Sequence, residues 1–189
     1  MNGERQVTLE HKFCRADQGL TVENGSEISG YASLFGQADQ GRDVVGRGAY
    51  AQSLKRMAAR GGRVKMLWQH DPTEPIGVWE EVREDERGLW VKGRILTDVA
   101  RGREAAALIA AGAIDGLSIG YRTVKASKDE SGCRHLSEVD LWEVSLVTFP
   151  MLEDARVTGK ATPDPEPDTR VLSELARMFD EAREALRGA

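Results

Sequence analysis

Nucleophilic attack on a carbonyl needs an activated hydroxyl, a base and a group that orients the base, and this chain carries a candidate for each. The hydroxyl is Ser118, set between two glycines in the otherwise apolar run Gly116-Leu117-Ser118-Ile119-Gly120-Tyr121. A serine there costs burial energy unless it is hydrogen-bonded or accessible, and Gly120 removes a side chain that would crowd an approaching group. A serine hydroxyl is a poor nucleophile at neutral pH and requires a base within hydrogen-bond reach.

Three histidines are available. His11 falls in a polar N-terminal strand and His135 at the start of a strand after a charged loop, so both read as surface residues. His70 ends the apolar stretch Val64-Lys-Met-Leu-Trp-Gln-His70 and is followed at once by Asp71-Pro72. It therefore sits where a strand opens into a turn, a common seat for functional groups. A capping histidine bonded to Asp71 or to a carbonyl is the plainer alternative.

The orienting group is sought in Asp140-Leu141-Trp142-Glu143-Val144-Ser145-Leu146-Val147. Alternation puts Glu143, Ser145 and Val147 on one face of this strand and Trp142, Val144 and Leu146 on the other. An ionised carboxylate in so apolar a run is costly unless paired or hydrogen-bonded. A histidine N–H would meet that need and leave the other ring nitrogen free to take the serine proton. A salt bridge from Glu143 to an arginine competes with this reading, and Asp140 is the fallback carboxylate. No His-x-x-x-His or similar ligand spacing is present, so a metal-dependent hydrolase is disfavoured and no metal or cofactor is expected.

Such a trio occurs in almost every soluble chain, so the elements around it must supply the specificity. Residues 6–15 and 26–35 read as strands joined by a turn at Asn24-Gly25, and Gly36–Gly46 as a loop. From Gly48 the pattern turns helical through Ala49, Tyr50, Leu54, Met57 and Ala58, stopped by Gly61-Gly62. Strands follow at Val64–Gln69, Ile76–Arg83 and Leu89–Leu96, the last two forming a hairpin. Asp98 is predicted to cap a helix over Val99–Ala111. Strands Leu117–Val124 and Leu136–Thr148 complete a core that is largely β.

The chain divides into a domain at residues 1–158, a linker at 159–168 with prolines at 163, 165 and 167, and an amphipathic helix at 169–189. The helix carries its apolar stripe on Val171, Leu172, Leu175, Phe179, Ala182 and Leu186. With 189 residues, 40% of them hydrophobic and 30% charged, the chain has the composition of a soluble globular protein. A net charge of −5 with no dense basic patch excludes nucleic acid as an expected partner. Neither a secretory signal nor a membrane span is legible, and a cytoplasmic start is expected. Cys14 and Cys133 lie outside any Cys-x-x-Cys spacing and read as reduced.

Read together, Gly30-Tyr31-Ala32-Ser33-Leu34-Phe35, Asp43-Val-Val-Gly-Arg-Gly48-Ala-Tyr50, Met66-Leu67-Trp68-Gln69-His70-Asp71, Pro75-Ile76-Gly77, Gly116–Tyr121 and Trp142–Pro150 resemble the tailed-phage prohead maturation proteases. The likeness covers residues 8–157, and related genes also occur in prophages and gene transfer agents. It implies an α+β, mainly β fold, a β-barrel surrounded by helices as in the herpesvirus assemblin serine proteases. It also implies a serine endopeptidase with Ser118 as nucleophile, His70 as general base and Glu143 as third member, where the herpesvirus relatives use a second histidine. Apart from the resemblance, the mechanism calls for oxyanion donors that are either backbone N–H groups or an arginine near the serine, with Arg122 and, in the loop after Pro150, Arg156 as the arginine candidates.

Substrates by the same resemblance are scaffold protein or the scaffold-like segment of the major capsid protein, and the enzyme itself. The place of action would be the assembling prohead in the bacterial host cytoplasm, with no membrane partner and a possible homo-oligomer by analogy. The linker would be a self-cleavage site, and the C-terminal helix either docks back onto the domain or is a scaffold- or capsid-targeting element. The rival reading is a non-catalytic module that binds capsid or scaffold.

Overall fold

The computed structural model describes residues 10–14, 21–23 and 25–149. All of them fall in the first of two units into which the chain divides, Met1–Gly159. The linker and C-terminal helix expected at 159–189 lie outside the described residues, as do the side chains of residues 10–14 and 21–23.

Among the described residues, nine strands form one sheet: β1 Glu10–Cys14, β2 Thr21–Glu23, β3 Glu27–Leu34, β4 Asp43–Val45, β5 Lys65–Trp68, β6 Asp71–Glu84, β7 Gly88–Ile95, β8 Gly116–Lys128 and β9 Arg134–Val147. Two helices among them, α1 Ala51–Ala59 and α2 Ala100–Ala110, accompany it. The hydrogen-bonded order is β1-β8-β9-β5-β6-β7-β3-β2, with β4 also paired to β9. The sheet curls so that β3 approaches β1 and β8, yet among the described residues no ladder joins its two ends. Where a barrel surrounded by helices is expected, the described residues thus make a curled half-barrel with two helices. None of the described helices is long and apolar enough to cross a membrane.

Long-range pairing revises several local expectations. The turn at Gly25 leads from β2 into β3, whereas β1 pairs with β8, Phe13 opposite Ser118. Inside the expected 36–46 loop, β4 runs parallel to β9, Val45 opposite Leu136. Asp98 does not cap α2; Val99 holds that position without a side-chain cap. Neither β1's partner nor β4's carries a signal in its own few residues, because both are chosen by strands more than 85 positions away.

β9 is the axis of the sheet. On one side it pairs with β8; on the other it takes β4 at Arg134–Leu136 and β5 at Glu143–Leu146, both parallel. The backbone between those stretches needs partners, and the start of α1 provides them. Val139 N–H donates to Ala49 O at 2.9 Å, and Leu141 N–H donates to the Ser53 hydroxyl at 2.8 Å. That explains a buried serine in an amphipathic helix.

The inner face of the sheet holds Met66, Ile76, Leu89, Val91, Ile119, Tyr121, Val144 and Leu146, all fully buried. Each such aliphatic side chain contributes about 1.5–3 kcal/mol relative to exposure. Tyr121 ends in this layer with its hydroxyl donating to Asp43 Oδ2 at 3.1 Å, while Arg134 donates to both Asp43 oxygens at 2.8 and 2.5 Å. The buried carboxylate is thereby satisfied, and it ties β4 to β8 and β9.

Candidate active site

The β8–β9 register decides which side chains share the outer face of the sheet. Ser118 stands opposite Ser145 and Gly120 opposite Glu143, so all four lie on one side while Ile119 and Val144 point into the core. At the next step the register slips, because Tyr121 pairs with Leu141 and Trp142 is left over. This β-bulge turns Trp142 outward, 45% exposed, and brings Asp140, opposite Arg122, to the same side as Glu143.

His70 arrives from β5. Trp68 pairs with Asp71 across the β5–β6 hairpin, leaving Gln69-His70 as a two-residue turn. Both residues have positive φ, 51° and 64°, as a hairpin turn of the I′ kind requires. Neither is a glycine, so the conformation is held at some cost by its surroundings. Gln69 N–H donates to Leu146 O at 3.0 Å, Gln69 Nε2 to the Thr148 hydroxyl at 2.7 Å, and His70 N–H to Ser145 Oγ at 3.1 Å. β6 consequently begins at Asp71 rather than at Ile76, with irregular pairing at Leu67 accommodating the prolines.

The imidazole bridges the other two groups. His70 Nδ1 is 2.6 Å from Glu143 Oε1, and His70 Nε2 is 2.6 Å from Ser118 Oγ. An ionised carboxylate only accepts, so the proton belongs on Nδ1 and the lone pair on Nε2 faces the serine hydroxyl. Ser118 is fully buried and Glu143 is 4% exposed, with the imidazole at 12%. Glu143 Oε2 accepts a bond from the Ser145 hydroxyl at 2.6 Å, which offsets part of the cost of burying the carboxylate.

Gly120 has a different role from the one its position suggests. A Cβ built there would lie 2.1 Å from Glu143 Oε1 and 2.8 Å from its Cδ. The glycine leaves room for the carboxylate itself.

The remaining candidates go elsewhere. Asp140 accepts from Arg56 at 3.0 Å and Arg122 at 3.1 Å, and its Oδ1 is 3.3 Å from the Ser53 hydroxyl. Arg122 is thus committed to an ion pair four residues along β8 from Ser118, and Arg156 lies outside the described residues. Asp71 accepts from the Thr73 hydroxyl and N–H at 2.6 and 2.8 Å, bonds that hold its carboxyl below the usual range. It does not cap His70. His135 is exposed and bonds Asp129 at 2.8 Å; that bond, with one from Ser131, holds Asp129 far below the usual carboxylate range. The His11 side chain lies outside the description.

Sequence reasoning missed the bulge at Trp142, the left-handed turn at His70 and the part played by Ser145. Only the last had a signal, since alternation already put Ser145 on the face of Glu143.

A serine, an imidazole and a carboxylate in one hydrogen-bonded row on a mainly β scaffold make the constellation that serine hydrolases use. The chain belongs to the family described as caudovirus prohead serine protease, which matches it over residues 14–165. It is 30% identical over 140 residues to the prohead protease of Enterobacteria phage HK97, a match that covers 72% of this chain and 61% of that protein. The chain thus spans less than two thirds of that relative's length. In fold it is similar to the bacteriophage T4 capsid assembly protease, gp21, with a TM-score of 0.58 and 15% identity over 74% of this chain and 96% of that one.

Proposed function

We propose that this chain is a serine endopeptidase that acts within assembling phage-type proheads, cleaving scaffold protein or the scaffold-like segment of the major capsid protein, and itself. The observation that carries the reading is the Ser118–His70–Glu143 row, with 2.6 Å at each link. Family membership supports the setting in a prohead, and the proline-rich sequence at 159–168 is the stretch assigned to self-cleavage.

In the reaction, Ser118 Oγ attacks the scissile carbonyl carbon while its proton passes to His70 Nε2. Glu143 Oε1 accepts from Nδ1–H and stabilises the imidazolium that forms, remaining ionised itself. The tetrahedral oxyanion collapses, the C–N bond breaks, and the amine leaves with the proton from Nε2. Water then attacks the acyl ester with His70 again as base, releasing the acid and restoring Ser118.

The test is co-expression of the full chain with capsid and scaffold proteins, comparing wild type with Ser118→Ala by gel and mass spectrometry. The serine variant should abolish cleavage, a loss on the order of 10⁶ in kcat for a nucleophile of this kind. Identical cleavage patterns would sink the reading and favour the non-catalytic capsid-binding module.

A further inference from the structure

We propose that Ser145 is a fourth, positioning member of the site, which fixes both the carboxylate and the backbone of the base; the proposal rests on reading Ser118, His70 and Glu143 as the reacting row. Its hydroxyl makes two bonds whose directions are forced. The His70 backbone N–H can only donate, so Ser145 Oγ accepts it, at 3.1 Å. The carboxylate can only accept, so the Ser145 proton goes to Glu143 Oε2, at 2.6 Å. One buried hydroxyl thereby joins the residue that orients the imidazole to the residue that carries it.

Each bond addresses a specific liability. Glu143 has two oxygens, and its terminal torsion is soft. With Oε2 held by Ser145, Oε1 is the oxygen presented to His70 Nδ1, at 2.6 Å. His70, for its part, stands at φ 64° behind Gln69 at φ 51°, a pair of left-handed non-glycine residues that persists only if neighbours hold it. The bond from His70 N–H is one of those holds. On β9, Ser145 sits opposite Ser118 of β8 and opposite Leu67 of β5, so the sheet pins its Cα between nucleophile strand and base strand.

Ser145 is not an alternative nucleophile. Its proton is directed at Glu143 Oε2, and the lone-pair side of the imidazole faces Ser118. It acts through its neighbours.

A serine-reactive fluorophosphonate probe on the full chain tests this, with Ser118→Ala as the unlabelled control. Ser145→Ala should slow labelling at saturating probe about 10- to 100-fold, the scale of an ångström-level misplacement, while half-saturation shifts no more than about twofold. In a Glu143→Gln background the same substitution should add less than about threefold, because both changes break one relay. A far-downfield proton resonance of His70 Nδ1–H is expected in wild type and Ser118→Ala and should move upfield or vanish in Ser145→Ala, and this readout does not depend on turnover. Near-wild-type labelling by Ser145→Ala while Glu143→Gln is slow, equal losses in both backgrounds, or an unmoved resonance would each overturn the positioning role and leave the protease reading standing. Unchanged labelling in Ser118→Ala and Glu143→Gln would remove the protease reading, and the role of Ser145 with it.

Discussion

Gly120→Ala tests whether the space above β8 belongs to the carboxylate or to substrate. The added methyl would sit 2.1 Å from Glu143 Oε1, 2.8 Å from Cδ and 2.9 Å from Cγ. Ordinary contact lies near 3.5 Å, so the carboxylate must withdraw by about 1 Å or more. Because Oε1 is the atom bonded to His70 at 2.6 Å, withdrawal stretches that bond toward about 3.6 Å, where it ceases to be one. A misplacement of this size costs about 10²-fold in rate, and complete loss of the acid's orienting effect about 10⁴-fold. Stability should change far less, since alanine suits a strand better than glycine and offsets part of the loss at Glu143. Cleavage kinetics at a temperature well below the melting transition are the assay, with thermal unfolding alongside. A folded Gly120→Ala enzyme within about threefold of wild type would refute the reasoning, as would losses that simply add to those of Glu143→Gln.

Asp140→Asn should leave kcat/KM within about threefold of wild type while Glu143→Gln lowers it about 10³- to 10⁴-fold, because Asp140 serves Arg56 and Arg122 rather than His70; the reverse result would reassign the third role. Gly102→Ala should destabilise the protein by about 1–3 kcal/mol in denaturant titration, since its Cβ would meet Leu96 O at 2.1 Å. Helix propensity alone predicts a gain of about 1 kcal/mol, so a stabilised variant would discard the close approach. For Asp85, burial alone would raise the carboxyl, but bonds from the Tyr31 hydroxyl and the N–H groups of Arg87 and Gly88 outweigh it and hold the folded value below the ordinary 3.8. A depressed folded value contributes stability that is present above the ordinary one and is lost as pH falls through the folded one. Asp85→Asn should therefore be less stable than wild type at neutral pH, with the gap narrowing below about pH 4; a gap that stays constant on acidification would contradict the assignment.

Much of the scaffold was legible because strand and helix patterns are local. Leu89–Leu96, Val64–Gln69 and Leu136–Thr148 announce themselves by apolar runs, and the helix around Leu54 and Met57 by its spacing. β4 escaped because Asp43-Val44-Val45 is a strand only by virtue of β9 beside it. The capping role given to Asp98 passed to Val99 because a helix start can shift by one residue without altering the apolar pattern.

At the site, the sequence by itself determined the ingredients: a glycine-flanked serine on one strand, a histidine at the end of another, and a glutamate sharing a strand face with Ser145. Residue types and the two-residue period of a strand carry that much. Tertiary structure alone decided how they meet. The pairing of β8 with β9 sets Gly120 under Glu143, and the bulge at Trp142 sends Asp140 to the arginines. A left-handed turn, held by Leu146 and Ser145, aims His70 at both neighbours. These are matters of register and backbone torsion set by residues far apart in the chain, and no local pattern encodes a distance of 2.6 Å between side chains brought together from three segments.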